Sequence, residues 1–286
     1  MSAVKSPAKQ FFDESYRGRM GDLQLFVQAG QAQFQFAFFD PYIQQMVGLE
    51  SWNLDGHQNW HQISEQLADI LGQEQFKADF KSVSFALVDS SYTLVPSTLF
   101  EDAKKADYLK LNHRLNDPSE LVFLSEEISG INSHLVYAFP QILHKFLSGR
   151  FQKLQLHHSL VPCLESFSLQ KKKGESMHLH VHSDRFDLIY YADMKLQMVN
   201  TFLYQTVEDF IYYLLYVMEQ KEVDRDHIEL SMYGEFEKRC TLHDLIYKYV
   251  RQPEIKERSK EIKYSKPLDQ LERHQFVNLF NQYLCG

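Results

Sequence analysis

One order of elements is written twice along this 286-residue chain. Leu23, Leu25 and Val27 alternate with Gln24, Phe26 and Gln28, the period of a strand. A turn at Ala29-Gly30 leads into Phe34, Phe36 and Phe38. Later, Met177, Leu179 and Val181 alternate with His178, His180 and His182, and a turn at Ser183-Asp184 leads into Phe186, Leu188 and Tyr190. A third strand is predicted after each hairpin, near Met46 to Trp52 and Leu196 to Tyr204. Asn59 with Gln62, and Thr206 with Asp209, then read as capping pairs that open a helix in each half. Ile63, Leu67, Ile70 and Leu71 form the apolar face of the first helix, and Gly72 can end it. Val207, Phe210, Ile211, Leu214, Val217 and Met218 form the face of the second.

A fourth strand follows in each half: Val83, Phe85 and Leu87 correspond to Ile228, Leu230 and Met232. A second capping pair comes next, Thr98 with Glu101 and Thr241 with Asp244. The spacing between matching features shrinks in order, from 154 residues at the hairpins (177 − 23) to 143 at these caps (241 − 98). Each half closes with a strand and a helix: Lys153 to His157 with Ser159 to Leu169, and Glu261 to Tyr264 with Gln275 to Leu284. The first half also carries an insertion at about 112–148, opened by the turn residues Asn116-Asp117-Pro118-Ser119. Within it, strands are expected at Glu120 to Leu124 and His134 to Phe139, and a helix at Gln141 to Leu147. The resulting expectation is an α/β protein with a mixed five-stranded sheet in each half. Its parts are an N-terminal extension (1–20), a first half (21–173) and a second half (174–286). The run Lys171-Lys172-Lys173-Gly174 is the expected joint.

Charge and cysteine usage narrow the function classes. With 30 basic and 38 acidic residues the net charge is −8, against the cationic footprint that nucleic-acid binding needs. The start has no apolar leader, and the longest strongly apolar stretch, Phe210 to Met218, is too short to span a bilayer. Cys163, Cys240 and Cys285 are odd in number and far apart, which disfavours a disulfide framework or a cysteine zinc site. A cytoplasmic protein with reduced thiols is expected.

The stretch Leu196 to Leu215 (LQMVNTFLYQTVEDFIYYLL) resembles a bacterial family of unknown function whose members have the actin-like ATPase fold. Thr93 to Phe100 (TLVPSTLF) and Asn278 to Cys285 (NLFNQYLC) are similar to that family too, and the resemblance runs from about residue 10 to 286. It implies two ribonuclease-H-like halves and no established activity, because this fold serves kinases, chaperones, filaments and scaffolds alike. In working members of the superfamily, Asp-x-Gly-like turns in the first hairpin of each half organise magnesium and the phosphates. Here the first turn, Gln28-Ala29-Gly30-Gln31, lacks the acid. The second, His182-Ser183-Asp184-Arg185, has the acid but no glycine. The glycine pair expected after the fourth strand of the second half is the single Gly234 of Met232-Tyr233-Gly234-Glu235. Gly30, Ser183, Asp184 and Gly234 are therefore the candidate nucleotide contacts, in turns that depart from the pattern at three places.

The alternating histidines are the most chemically suggestive feature. Alternate residues of a strand share a face about 7 Å apart, so His178, His180 and His182 could present imidazoles to a metal such as zinc. The run is similar to the His-x-His-x-Asp-His signature of metallo-β-lactamase-like hydrolases, without its last histidine. The plainer alternative is the polar side of a hairpin, with Gln24 and Gln28 at the matching positions of the first half. Asp40, Asp89 and Asp193 sit near strand ends, where turn or cap roles are expected. Trp52 and Trp60 read as core or interface aromatics, Tyr212, Tyr213 and Tyr216 as a surface for the other half or a partner, and Glu254 to Lys266 as a solvated charged run. Together these features favour a non-catalytic binding or scaffold module with degenerate phosphate turns. It would have a protein partner or self-associate, have no nucleic acid and need no cofactor. The alternatives are an ATP-binding switch with magnesium and a zinc-dependent hydrolase built on His178, His180 and His182.

Overall fold

In the computed structural model, which describes residues 6–54, 59–115, 117–168 and 173–285, both hairpins form as their alternation predicts. The strands are β1 (Lys9–Phe12), β2 (Gln24–Ala29), β3 (Gln33–Asp40), β4 (Gln45–Asn53), β5 (Ser82–Leu87), β6 (Tyr92–Pro96), β7 (Leu121–Ile128), β8 (Ser133–Pro140) and β9 (Leu154–His158), then β10 (Glu175–Val181), β11 (Arg185–Ala192), β12 (Lys195–Leu203), β13 (Glu229–Gly234), β14 (Pro253–Ile255) and β15 (Lys263–Tyr264). The helices are α1 (Trp60–Leu71), α2 (Lys105–Asn112), α3 (Gln141–Arg150), α4 (Leu160–Ser168), α5 (Val207–Gln220), α6 (Thr241–Tyr249) and α7 (Val277–Phe280). Asn116, Leu169, Lys171 and Lys172 lie outside the described residues, as do the side chains of Leu284 and Cys285.

The chain forms two units. One holds Met1–Ser166, Lys260–Gln270 and Leu279–Gly286, the other Phe167–Ser259 and Leu271–Asn278. The second unit's sheet has the order β12-β11-β10-β13-β14. The first unit's sheet contains β4-β3-β2-β5-β9 in the same third-second-first-fourth-fifth order, widened by β1 and β15 on β4. In both, the first three strands are antiparallel and the last two join in parallel. The register repeats as well: at the turn Ala29 faces Phe34 as Val181 faces Phe186, and Leu25 faces Val83 as Met177 faces Leu230, so Val83 and Phe85 match Leu230 and Met232 rather than Ile228 and Leu230. Met177 therefore corresponds to Leu25 rather than Leu23. The positions matching His178, His180 and His182 become Phe26, Gln28 and Gly30. A shift of two residues preserves strand alternation, so periodicity alone is blind to it.

The helix after the third strand opens on a capping box in both units, Asn59 with Gln62 and Thr206 with Asp209. Phe210, Leu214 and Met218 of α5 then pack on Met177, Leu179 and Val181, with Leu242 and Ile246 of α6 in the same core. The second pair of expected caps does not exist. Thr98 lies in the turn after β6, α2 has no side-chain cap, and α6 begins behind Cys240. The first-unit counterpart of α6 is α3, which packs against α1 and precedes β9. The insertion is accordingly β6, α2, β7 and β8, starting before Asn112 and ending before α3. Its strands make a separate sheet, β6-β8-β7, closed over Val95, Leu109, Val136 and Ala138.

The C-terminal segment also departs from expectation. The second sheet ends on β14, and the strand expected at Glu261 to Tyr264 instead pairs in parallel with β4, Lys263 facing Gln45. Gln282 beyond α7 donates to the Val27 carbonyl at 3.0 Å and accepts from the Ser84 hydroxyl at 2.7 Å, both in the first unit. The run 254–266 thus supplies β15 and the end of β14, while its charged side chains stay largely solvated as expected, Arg258 being the buried exception.

Candidate functional site

Pleating sends the side chains of β10 alternately to two faces, and both are covered. Met177, Leu179 and Val181 enter the apolar core, and His178, His180 and His182 are also buried. The turn after β10 sets Val181 opposite Phe186, which places His180 directly opposite Asp187 on β11. Asp187 in turn faces Thr201 on β12, and His180 faces Tyr233 on β13. One row across four strands therefore reads Thr201, Asp187, His180, Tyr233. His182 Nε2 donates to Asp187 Oδ2 at 3.0 Å, and His180 Nδ1 lies 3.4 Å from the same oxygen. The other carboxylate oxygen accepts from the Thr201 hydroxyl at 2.6 Å. Tyr233 stacks on the His180 ring at 5.0 Å.

Electrostatics follow from that geometry. Burial, reinforced by His182, pushes the His180 imidazole down to about 4 against the pull of Asp187, so it is neutral at pH 7. Burial opposes the charge on Asp187, but hydrogen bonds and charge from His180 and His182 outweigh it and hold the carboxyl well below the usual carboxylate range. Of the expected trio, the fold unites His180 and His182 and sets His178 apart. The His178 ring stacks on Phe167 at 4.1 Å and meets the Tyr191 ring edge-on at 6.1 Å. Asp187, absent from the expected set, takes the third place. The hairpin register could have revealed it, since pairing back from the turn puts Asp187 across from His180.

Three of the four phosphate-turn candidates, Gly30, Asp184 and Gly234, are engaged within their own units. The Gly30 N–H donates to the Gln33 carbonyl at 3.1 Å, closing the first hairpin. The Gly234 N–H donates to the His274 carbonyl at 2.8 Å. Gly234 has φ +114°, and a Cβ there would sit 2.1 Å from the Val181 carbonyl oxygen. Its glycine is thus explained by the close approach of β10 and β13. Asp184 accepts from Arg185 Nε at 3.1 Å and Nη2 at 2.8 Å. Burial would raise the Asp184 carboxyl, and the hydrogen bonds and charge of Arg185 outweigh it and lower it. Ser183 is exposed. Gly30 belongs to the first unit and the other three to the second.

Residues 19–252 match a family described as "Protein of unknown function (DUF3822)". The chain belongs to this family. A solved Bacteroides thetaiotaomicron protein with actin-like ATPase fold and unknown function is similar to it at a TM-score of 0.74 and 20% identity, covering 88% of this chain and 96% of that one. The PilM-PilN type IV pilus biogenesis complex is similar at a TM-score of 0.58 and 11% identity, covering 92% and 98%. At such identities the likeness shows the fold alone, and that fold is the actin-like ATPase fold. No curated protein matches the chain in sequence.

In this DUF3822 chain the acids near strand ends serve turns, as expected. Asp40 accepts from the Tyr16 hydroxyl at 3.0 Å and the Tyr42 N–H at 2.9 Å, Asp89 accepts from the Ser91 N–H at 2.7 Å, and Asp193 occupies a left-handed turn position. Trp52 is buried and donates to Glu50 at 3.2 Å. Trp60 lines a first-unit groove of about 630 Å³ between α1 and the inserted sheet, along with Arg114, Asp117, Pro140 and Lys145. Tyr213 packs on Phe202, while Tyr212 and Tyr216 stack on each other in solvent. A site that the sequence reading missed is the first-unit cavity of about 910 Å³ beside Glu50. That buried carboxylate accepts from Gln10 and Gln75, and burial raises its pKa against those hydrogen bonds and the one from Trp52. Among the described residues no helix is long and apolar enough to cross a membrane.

Proposed function

We propose that this protein is a binding or scaffold module that acts through a protein partner and turns over no nucleotide. The observation that carries this reading is the internal use of every phosphate-turn candidate with a resolved hydrogen bond. An actin-like ATPase needs free backbone N–H groups for phosphate oxygens and a free carboxylate for magnesium. Here the Gly30 and Gly234 N–H groups donate to carbonyls of their own units, and Asp184 is neutralised by Arg185.

Two further features support a protein partner. The inserted sheet borders the groove beside Trp60, which offers apolar, cationic and anionic contacts together. A relative in fold is found in the PilM-PilN type IV pilus biogenesis complex, so this architecture occurs with a protein partner. Cys163 and Cys240 form no disulfide among the described residues, in keeping with a reducing compartment such as the cytoplasm.

Calorimetric titration of the full chain with ATP and magnesium tests the reading. No saturable heat is expected at millimolar nucleotide. Saturable one-to-one binding would overturn it and make an ATP-dependent switch the better account.

A further inference from the structure

The two units solve the same structural position differently, and the difference is chemical. In the first unit the row across β2 and β3 pairs Gln28 with Gln35, and the amide of Gln28 donates to that of Gln35 at 3.2 Å. In the second unit the corresponding pair is His180 and Asp187, with His182 two residues on. The sheet therefore tolerates a neutral amide pair at this position. Burying a carboxylate between two imidazoles costs more desolvation than burying two amides. The fold alone does not call for ionisable groups here.

We propose that His180 Nδ1, His182 Nε2 and Asp187 Oδ2 form a binding site for one divalent transition-metal ion, zinc foremost. One ligand atom from each of the three residues lies within 4.8 Å of the others, at the closed end of a hairpin. Asp187 Oδ2 stands 3.0 Å from His182 Nε2 and 3.4 Å from His180 Nδ1. Ligands about 2.1 Å from a tetrahedral zinc ion stand about 3.4 Å apart, so His180 and the carboxylate already have the spacing of a tetrahedral edge and His182 would move outward by a few tenths of an ångström to reach it. Two imidazoles and one carboxylate are a donor set that zinc and its neighbours favour over magnesium or calcium. Thr201 occupies the outer-shell place, its hydroxyl orienting the carboxylate oxygen that does not face the histidines. Tyr233 stacked on His180 fixes the ring plane. Three protein ligands leave a fourth position for water or a group brought by a partner. The set differs from the histidine trio read along the strand: His178 is held by Phe167 and takes no part. None of the four candidate nucleotide contacts is a ligand here, although His182 opens the turn that holds Ser183 and Asp184, so the zinc titration is made without nucleotide and read separately from the ATP titration.

The experiment begins with the full chain stripped by chelator and titrated with zinc chloride. One equivalent is expected to bind and to raise the melting temperature. His182→Gln and Asp187→Asn should each weaken binding at least tenfold, and Thr201→Val about tenfold through misorientation of the carboxylate. His178→Gln should bind as the parent does. His180→Gln combined with Asp187→Gln copies the first unit's amide pair, and is expected to fold and lose the metal. Cobalt(II) added to the unmutated chain gives a readout free of any folding defect, the strong visible absorption of a four-coordinate ion. Absence of stoichiometric zinc binding, absence of that absorption, or equal affinity in His182→Gln and Asp187→Asn would each overturn the site.

Discussion

His180 is the residue at which burial and ionisation meet most sharply. In the unfolded chain its imidazole titrates near the ordinary 6.5, and in the folded protein burial and His182 lower that to about 4. Between those values the unfolded chain binds a proton that the native one refuses. The stabilising contribution is therefore complete above pH 6.5 and is lost as pH falls toward 4, a difference of about 3 kcal/mol. The groups facing His180 set the sign: Asp187 remains ionised through this window, and His182 adds repulsion to any second cation. Urea unfolding of metal-free protein between about pH 7 and about pH 4.5 should show stability falling faster in the parent than in His180→Gln. Parallel profiles would show that the residue is protonated in the native state.

β10 and β13 run side by side with no room for a side chain at one position. Gly234 ends β13 with φ +114°, and a methyl group there would collide with the Val181 carbonyl. Gly30, in the hairpin turn of the first unit, has an ordinary backbone conformation, and its added Cβ would stand 3.1 Å from the Val88 Cβ. Gly234→Ala should accordingly cost about 3 kcal/mol or more, and Gly30→Ala about 1 kcal/mol. Chemical denaturation of both variants checks the order, and equal losses would contradict it. The same scale explains what was legible. The strands and the two capping boxes at Asn59 and Thr206 are local, set by side-chain alternation and by a side chain reaching its own backbone three residues on. Thr98 with Glu101 has the same local spelling but caps no helix, because the chain there leaves β6 to build the inserted sheet.

Across the whole molecule, the return of the C-terminus into the first unit carries more than its length suggests. Gln282 bridges the Val27 carbonyl on β2 and the Ser84 hydroxyl on β5, and all three residues are buried. Gln282→Ala removes both hydrogen bonds inside the first unit and should cost about 2 kcal/mol. A thermal melt would register the loss, whereas a solvated tail at this position would leave the transition unmoved.

What the sequence determined by itself was the repeated order of strands and helices, and through its resemblance the actin-like fold. Both rest on short-range periodicity and on segments that the family shares. The tertiary structure alone decided three other things. It set the register between the halves, since a shift of two residues leaves every apolar side chain on its own face. It chose α3 over α2 as the partner of α1, since which helix packs on α1 depends on contacts between segments far apart in the chain. It also drew Asp187 and Thr201 to His180 and His182 while holding His178 against Phe167, because a strand's chemistry is completed by its neighbours across the sheet.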